Sequence, residues 1–227
     1  MTTPQNQVGQ NQAGQNQAGQ SQTARATRAT TSRRRLFAAA MDLIGAEGPE
    51  NVTVDRIAAA AGVAKGTVYY QFGSKNDLVT ALLDEGFATM RDAIAPAEQH
   101  PDVMAALEGM ITAALEWLEE FSGYAMLWTA EMMRPNSPWH SQIMTMRSEL
   151  LDIIVTSLQR LPRRDERIEA ESLAVAIFGA TFVSGVAGRL PGTAAARKQS
   201  RAAQVAAIMC GVRAYAGCLD DPRPAAG

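Results

Sequence analysis

The chain has 227 residues, 47% of them hydrophobic and only 6% aromatic, with a net charge of −2. That length holds one sizeable domain or two modest ones, and no apolar run approaches the roughly 18–20 residues that cross a bilayer. The N-terminus is polar and lacks the apolar core of an export signal, so a cytoplasmic protein with no membrane partner is expected.

Two cysteines, Cys210 and Cys218, lie eight residues apart in a segment of helical period. On one helix that is about 12 Å, too far for a disulfide. Two scattered histidines, His100 and His140, add no metal-site spacing. No metal and no cofactor are expected. The small net charge hides an asymmetry: up to Lys75 the chain carries an excess of four positive charges, and the remainder an excess of six negative ones. A basic front on an acidic body suits a polyanionic partner for the front only.

In chain order, residues 1–24 are low complexity, with the unit GQNQA repeated between Gly9 and Ala18. Such a segment has too little apolar surface to offset its ordering entropy, and disorder is expected. It turns basic at Arg25, Arg28 and Arg33 to Arg35. A first helix is predicted from about Ser32 to Glu47 on the repeat of Leu36, Ala40, Leu43 and Ile44, ended by Gly48-Pro49. Thr53 is a good N-cap for a second helix with Val54, Ile57, Ala58 and Ala61 on one face. Gly62 breaks it, and a third, short helix follows over about Lys65 to Phe72. Ser74 caps a fourth helix, with Asp77 at the capping-box position, running towards Ile94 with a stop soon after at Pro96.

Beyond it the helical period persists over about 102–121, 124–134, 138–160, 167–188 and 194–217. Prolines 101, 135, 138, 162 and 191, or Gly123 and Gly192, mark the breaks. No segment alternates with period two, so the fold expected is all-α.

The third helix is odd: only Val68 and Phe72 can anchor it, four residues apart on one face. Two short helices joined by a tight glycine turn, the second poor in apolar residues, describe a helix-turn-helix. The second helix buries little because its outer face is meant for a major groove. Lys65 then supplies a cation, Gly66 a place of close backbone approach, and Thr67 and Tyr69 hydroxyl donors. Tyr70, Gln71 and Lys75 clamp phosphates, Lys75 from the positive end of the fourth helix. Each of these, taken alone, also reads as an ordinary solvated residue; the joint pattern is what points to DNA.

That pattern, "TVDRIAAAAGVAKGTVYYQFGSKNDLVTALL" from Thr53 to Leu83 with "RRRLFAAAMDLIGAEG" ahead of it, resembles the DNA-binding region of the TetR family of bacterial transcriptional regulators. Gly62, Val63, Ala64, Lys65, Gly66, Thr67, Tyr69, Phe72, Ser74, Lys75, Asp77 and Leu78 match position by position. Gln71 departs from the commoner histidine, and Pro49 stands where an aromatic often packs. The resemblance implies phosphate contacts from Thr53, Tyr70 and Lys75, and groove contacts from Lys65, Thr67 and Tyr69. Arg33 and Arg34, with Arg35, could follow phosphates or enter the minor groove from the arm; a solubilising tail is the other reading.

The family's second domain usually dimerises and holds an effector. The organisation expected is therefore an arm (1–30), a three-helix helix-turn-helix DNA-binding domain (31–77), a larger helical ligand-binding and dimerisation domain (78–222) and a tail (223–227). The segments 167–188 and 194–217 carry Ala174, Ala176, Gly179, Ala180, Gly185, Ala203, Ala206 and Gly211, which suit a close homodimer interface or simply cover their own subunit. Candidate effector-pocket residues are Met110, Trp117, Trp128, Met132 and Phe178, apolar groups that equally suit a core. The function implied is a ligand-responsive regulator: a repressor bound as a dimer to a palindromic double-stranded DNA operator and released by a small, largely apolar effector. An activator or architectural protein with the same recognition unit is the alternative. No grouping of residues supports a catalytic site, and an enzyme is not expected.

Overall fold

The computed structural model describes residues 31–162, 164–187 and 194–217, which form nine helices and no strand among the described residues. The arm up to residue 30, Cys218 and the tail lie outside them. The helices are α1 (31–47), α2 (Val54–Ala61), α3 (Lys65–Phe72), α4 (Lys75–Glu98) and α5 (Val103–Glu120). They continue with α6 (Ser122–Met132), α7 (His140–Gln159), α8 (Ala170–Ala187) and α9 (Ala194–Tyr215).

Local chemistry explains the starts. Thr53 Oγ1 accepts from the Arg56 backbone N–H at 3.3 Å, and Asp102 Oδ1 accepts from Met104 and Ala105 N–H groups to open α5. Gly62 closes α2 in the left-handed region, φ 65°, a conformation that costs glycine little. At α4 the capping box is only half built. Ser74 Oγ accepts from the Asp77 N–H at 3.1 Å, but the Asp77 carboxylate takes the Ser74 hydroxyl proton at 2.6 Å. Aspartate is one methylene short of the glutamate that would reach back to the cap's own N–H.

Two boundaries differ from expectation. α4 runs past Pro96 to Glu98; near a C-terminus a proline removes one bond of the last turn, and the helix ends within that turn. Gly123 is not a break but the second residue of α6. A Cβ there would stand 2.5 Å from the Met41 carbonyl oxygen, and one on Gly45 would collide with the Gly123 backbone. Glycine faces glycine where α1 meets α6.

One apolar cluster runs through the molecule. At the front Leu36, Ala40, Ile44, Ile57, Ala58 and Val68 are buried together, and α4 extends the cluster through Leu78, Leu82 and Leu83 to Met90 and Ile94. Behind it α5 packs along α4, and α7 and α8 pack against α5 and against each other. Tyr124 on α6 is fully buried, its ring filling the space left by Gly86 and its hydroxyl donating to the Leu83 carbonyl at 3.0 Å. Burial, with the Asp84 charge as a smaller influence, pushes that phenol well above the ordinary tyrosine range, so it serves as a neutral donor.

Candidate nucleic-acid interface and effector cavity

The turn between α2 and α3 is fixed by backbone bonds from the Gly62 and Val63 N–H groups to the carbonyls of Ala59 and Ala58. Val68, 1% exposed, pins α3 to the core, and Phe72 packs against it at partial burial. The opposite side is bare: Tyr70 is 91% exposed, Tyr69 44%, and a Cβ on Gly66 would meet nothing within 4 Å. Thr67 is half-buried and Lys65 exposed.

Around that face the polar groups are partly spoken for. Lys65 Nζ sits 2.8 Å from Asp55 Oδ2 on α2, a pairing that holds its ammonium above the usual lysine range. Arg56 makes a two-pronged contact with Glu47 at 2.6 and 2.7 Å, which lowers the Glu47 carboxyl through hydrogen bonding. Thr53 is exposed; its cap bond uses an oxygen lone pair, and the hydroxyl proton remains available to an outside acceptor. Lys75 lies on the first turn of α4, with Nζ 3.5 Å from the Glu50 carbonyl.

Arg34 is exposed, whereas Arg33 folds back over the protein, 5.3 Å above the Phe72 ring and 3.6 Å from Glu85. Gln71 is the least outward of the candidates: it is half-buried, and its side-chain oxygen is enclosed without a hydrogen-bond partner.

In the body a cavity of about 70 Å³ lies between α4, α5, α7 and α8. Met110 and Phe178 line it, together with Met90, Ile94, Ile177 and Thr181 among others. Trp128, Trp117 and Met132 are not in its wall. Trp128 stands one layer behind, its ring 5.6 Å from Phe178 and 4.5 Å from Phe182. Trp117 belongs to a separate aromatic group with Phe121 and Tyr124. The sequence reading had no signal for Ile94 or Thr181: a lone threonine within an apolar helix does not announce a cavity.

Residues 36–82 match the family pattern described as "Bacterial regulatory proteins, tetR family". Over those residues the chain carries a TetR-family DNA-binding region. Its helix-turn-helix lies within that match, and curated helix-turn-helix-type transcriptional regulators extend the similarity into the body. The transcriptional regulator BetI of Cronobacter sakazakii is 27% identical over 173 residues, covering 69% of this chain and 81% of BetI. The transcriptional repressor BepR of Brucella suis is 26% identical over 145 residues, 61% of this chain and 69% of BepR. Among solved structures, SCO4454 of Streptomyces coelicolor, a TetR-family regulator, superposes with a TM-score of 0.67 at 21% identity, covering 82% of this chain and 97% of that one. AibR, solved with isovaleryl coenzyme A and operator DNA, gives 0.65 at 14% identity, covering 78% and 97%. Identities at that level speak for the TetR fold alone.

Proposed function

We propose that this regulator is a repressor that binds a palindromic operator as a homodimer and is released when a small, largely apolar effector enters the body. The observation that carries the DNA reading is α3, a helix with Val68 inside and Lys65, Gly66, Tyr69 and Tyr70 outside. An outer face this exposed is open to an outside partner, and the width of the helix suits a major groove. Tyr70, Lys75 and Thr53 hold phosphates; Thr67 and Tyr69 read base edges, with Lys65 turning from Asp55 to DNA. Arg34 and Arg33 reach the backbone from the start of α1, Arg33 only after leaving Glu85. The residues before α2 and through the start of α4 act as the DNA-binding unit (31–77), and the rest (78–222) as the effector and dimer unit.

A second copy supplies specificity, since one short helix reads only a few base pairs. α8 offers a suitable surface: Val175 and Val183 are 45% and 66% exposed, on one face with Gly179, beside which a Cβ would meet open space. Ala203 and Ala206 on α9 are also exposed, whereas Ala174 and Gly185 pack inward, Gly185 against Leu118. Repression accords with the name of the relative BepR, and a ligand-binding body with AibR, whose structure holds a ligand together with operator DNA. The effector acts by linkage: it favours the arrangement it binds better, and only by that difference in affinity.

Selection of binding sites from random duplexes with the purified full chain, followed by footprinting, tests this. The expected product is a dyad-symmetric site whose half-sites lie about 34–36 Å apart or a multiple of that, overlapping a promoter. Broad coverage indifferent to sequence, or a single half-site filled by a monomer, would overturn it.

A further inference from the structure

Threonine in a helix commonly returns its hydroxyl proton to the carbonyl one turn back. Thr112, Thr129 and Thr145 do so here, at 2.8, 2.8 and 3.1 Å from the carbonyls of Glu108, Ala125 and Ser141. Thr181 on α8 does not. It is 8% exposed, its hydroxyl is enclosed with no hydrogen-bond partner among the described residues, and it lines the cavity between α4, α5, α7 and α8. Every other lining side chain is aliphatic, aromatic or a methionine. A buried hydroxyl left unmatched costs stability, and a fully apolar cavity would have no use for it.

We infer that the cavity takes a neutral, compact, largely hydrocarbon ligand bearing one acceptor oxygen, and that Thr181 is the residue that recognises that oxygen. This rests on the effector-cavity reading given above and specifies the chemistry of its ligand. A carbonyl or ether oxygen receives the hydroxyl proton, while Ile94, Ile177 and Phe178 enclose the carbon skeleton.

Charge argues for neutrality. Among the described residues no ionisable side chain lines the cavity, and an unpaired charge moved into such surroundings meets a large desolvation penalty. Outside the lining, the Arg147 guanidinium stands over the Phe178 ring at 5.7 Å. Size argues for compactness: the cavity measures about 70 Å³, about half the engineered cavity that admits benzene. A ring of that size enters when Met90 and Met110 turn aside, which their unbranched thioethers allow.

The test compares cyclohexanone with methylenecyclohexane, which have the same skeleton, the first with C=O and the second with C=CH2. Titration of each into the full chain is followed by ligand-observed NMR, with wild type, Thr181→Val and Thr181→Ser. Thr181→Val keeps the shape and deletes the donor; it should weaken the ketone about three- to tenfold, the worth of one hydrogen bond. The alkene should change by less than about twofold, and Thr181→Ser should restore the ketone. If Thr181→Val alters both ligands equally, or neither, the oxygen contact is overturned while the cavity stands as a binding site. If neither ligand binds wild type, or if filling the space with Ile177→Trp leaves both affinities intact, the cavity reading falls and this inference with it. A third arm uses cyclohexanecarboxylate: tighter binding than the ketone, lost in Arg147→Gln, would replace the neutral ligand by an anionic one.

Discussion

Lys65, proposed above to face DNA, already has a partner within the chain. It is paired with Asp55 across the α2–α3 turn at 2.8 Å, with both side chains more than half exposed. An exposed pair of this kind is worth about 0–1 kcal/mol, little enough for a phosphate or guanine edge to compete with. The Asp55 carboxylate then becomes a negative charge on a surface meant for a polyanion. Asp55→Asn should therefore tighten binding to unrelated duplexes about two- to fivefold at low salt, the gain shrinking as salt screens the removed repulsion. Fluorescence anisotropy at two ionic strengths reads this, and a loss of affinity would mean that Asp55 instead orients Lys65. The remaining contacts divide by role. Tyr70→Ala and Lys75→Ala should weaken binding to every sequence, the lysine change also reducing the salt slope by about one. Thr67→Ala should relax preference at particular base pairs while leaving non-specific binding alone, and equal losses from all three would remove the distinction.

Among the elements, two glycines make opposite predictions. Gly45 on α1 lies against the Gly123 backbone of α6, where an added methyl finds no flexible side chain to push away. Gly45→Ala should destabilise by about 1–3 kcal/mol, outweighing alanine's advantage of about 1 kcal/mol inside a helix; urea unfolding measures it, and a stabilised variant would contradict the packing. Gly66→Ala, beside open space, should gain up to about 1 kcal/mol of stability yet weaken operator binding. That contrast marks the limit of the sequence. The helix-turn-helix was legible because its signals are local: the Thr53 and Ser74 caps, the Gly62 turn, and the Val68–Phe72 pair all act within a few residues. Gly123 reads as a break because its true constraint, Met41 and Gly45, lies 82 and 78 residues away in the chain. The cavity was half legible for the same reason. Met110 and Phe178 are apolar at helical spacing wherever they point, and only the assembled α4, α5, α7 and α8 decide that Trp128 stands behind the wall and Thr181 in it.

Across the whole molecule, the segment joining α6 to α7 is tied to the DNA-binding end at several points. Arg134 bridges Glu50, in the α1–α2 connection, to the buried Glu131 of α6 at 3.3 Å; Glu50 contributes to an Arg134 pKa above its usual value, chiefly by accepting its hydrogen bond. Glu50 in turn offers its carbonyl to Lys75 at 3.5 Å. Next to it, Trp139 Nε1 donates to the Asn76 carbonyl at 3.4 Å, and Gln142 donates to Asp84 at 2.6 Å. The Arg134 and Trp139 ties flank the start of α4, where a phosphate contact is proposed, and the Gln142–Asp84 bond fastens the same helix to α7 further along, so together they hold the recognition unit at a set angle to the body. Because they are parallel, losing one leaves the others in force. Arg134→Gln and Gln142→Ala should each change operator affinity by less than about threefold and unfolding stability by less than about 1 kcal/mol, the scale of exposed polar contacts. The double variant should lose more than the product of the two, a coupling of about 0.5–2 kcal/mol, while its unfolding midpoint falls only by the sum. Operator titrations on the four proteins of that cycle decide the matter: strictly additive affinities would mean that the ties only decorate the surface, and that the angle of the recognition helices is set by the Gly45–Gly123 and Tyr124–Gly86 packing alone.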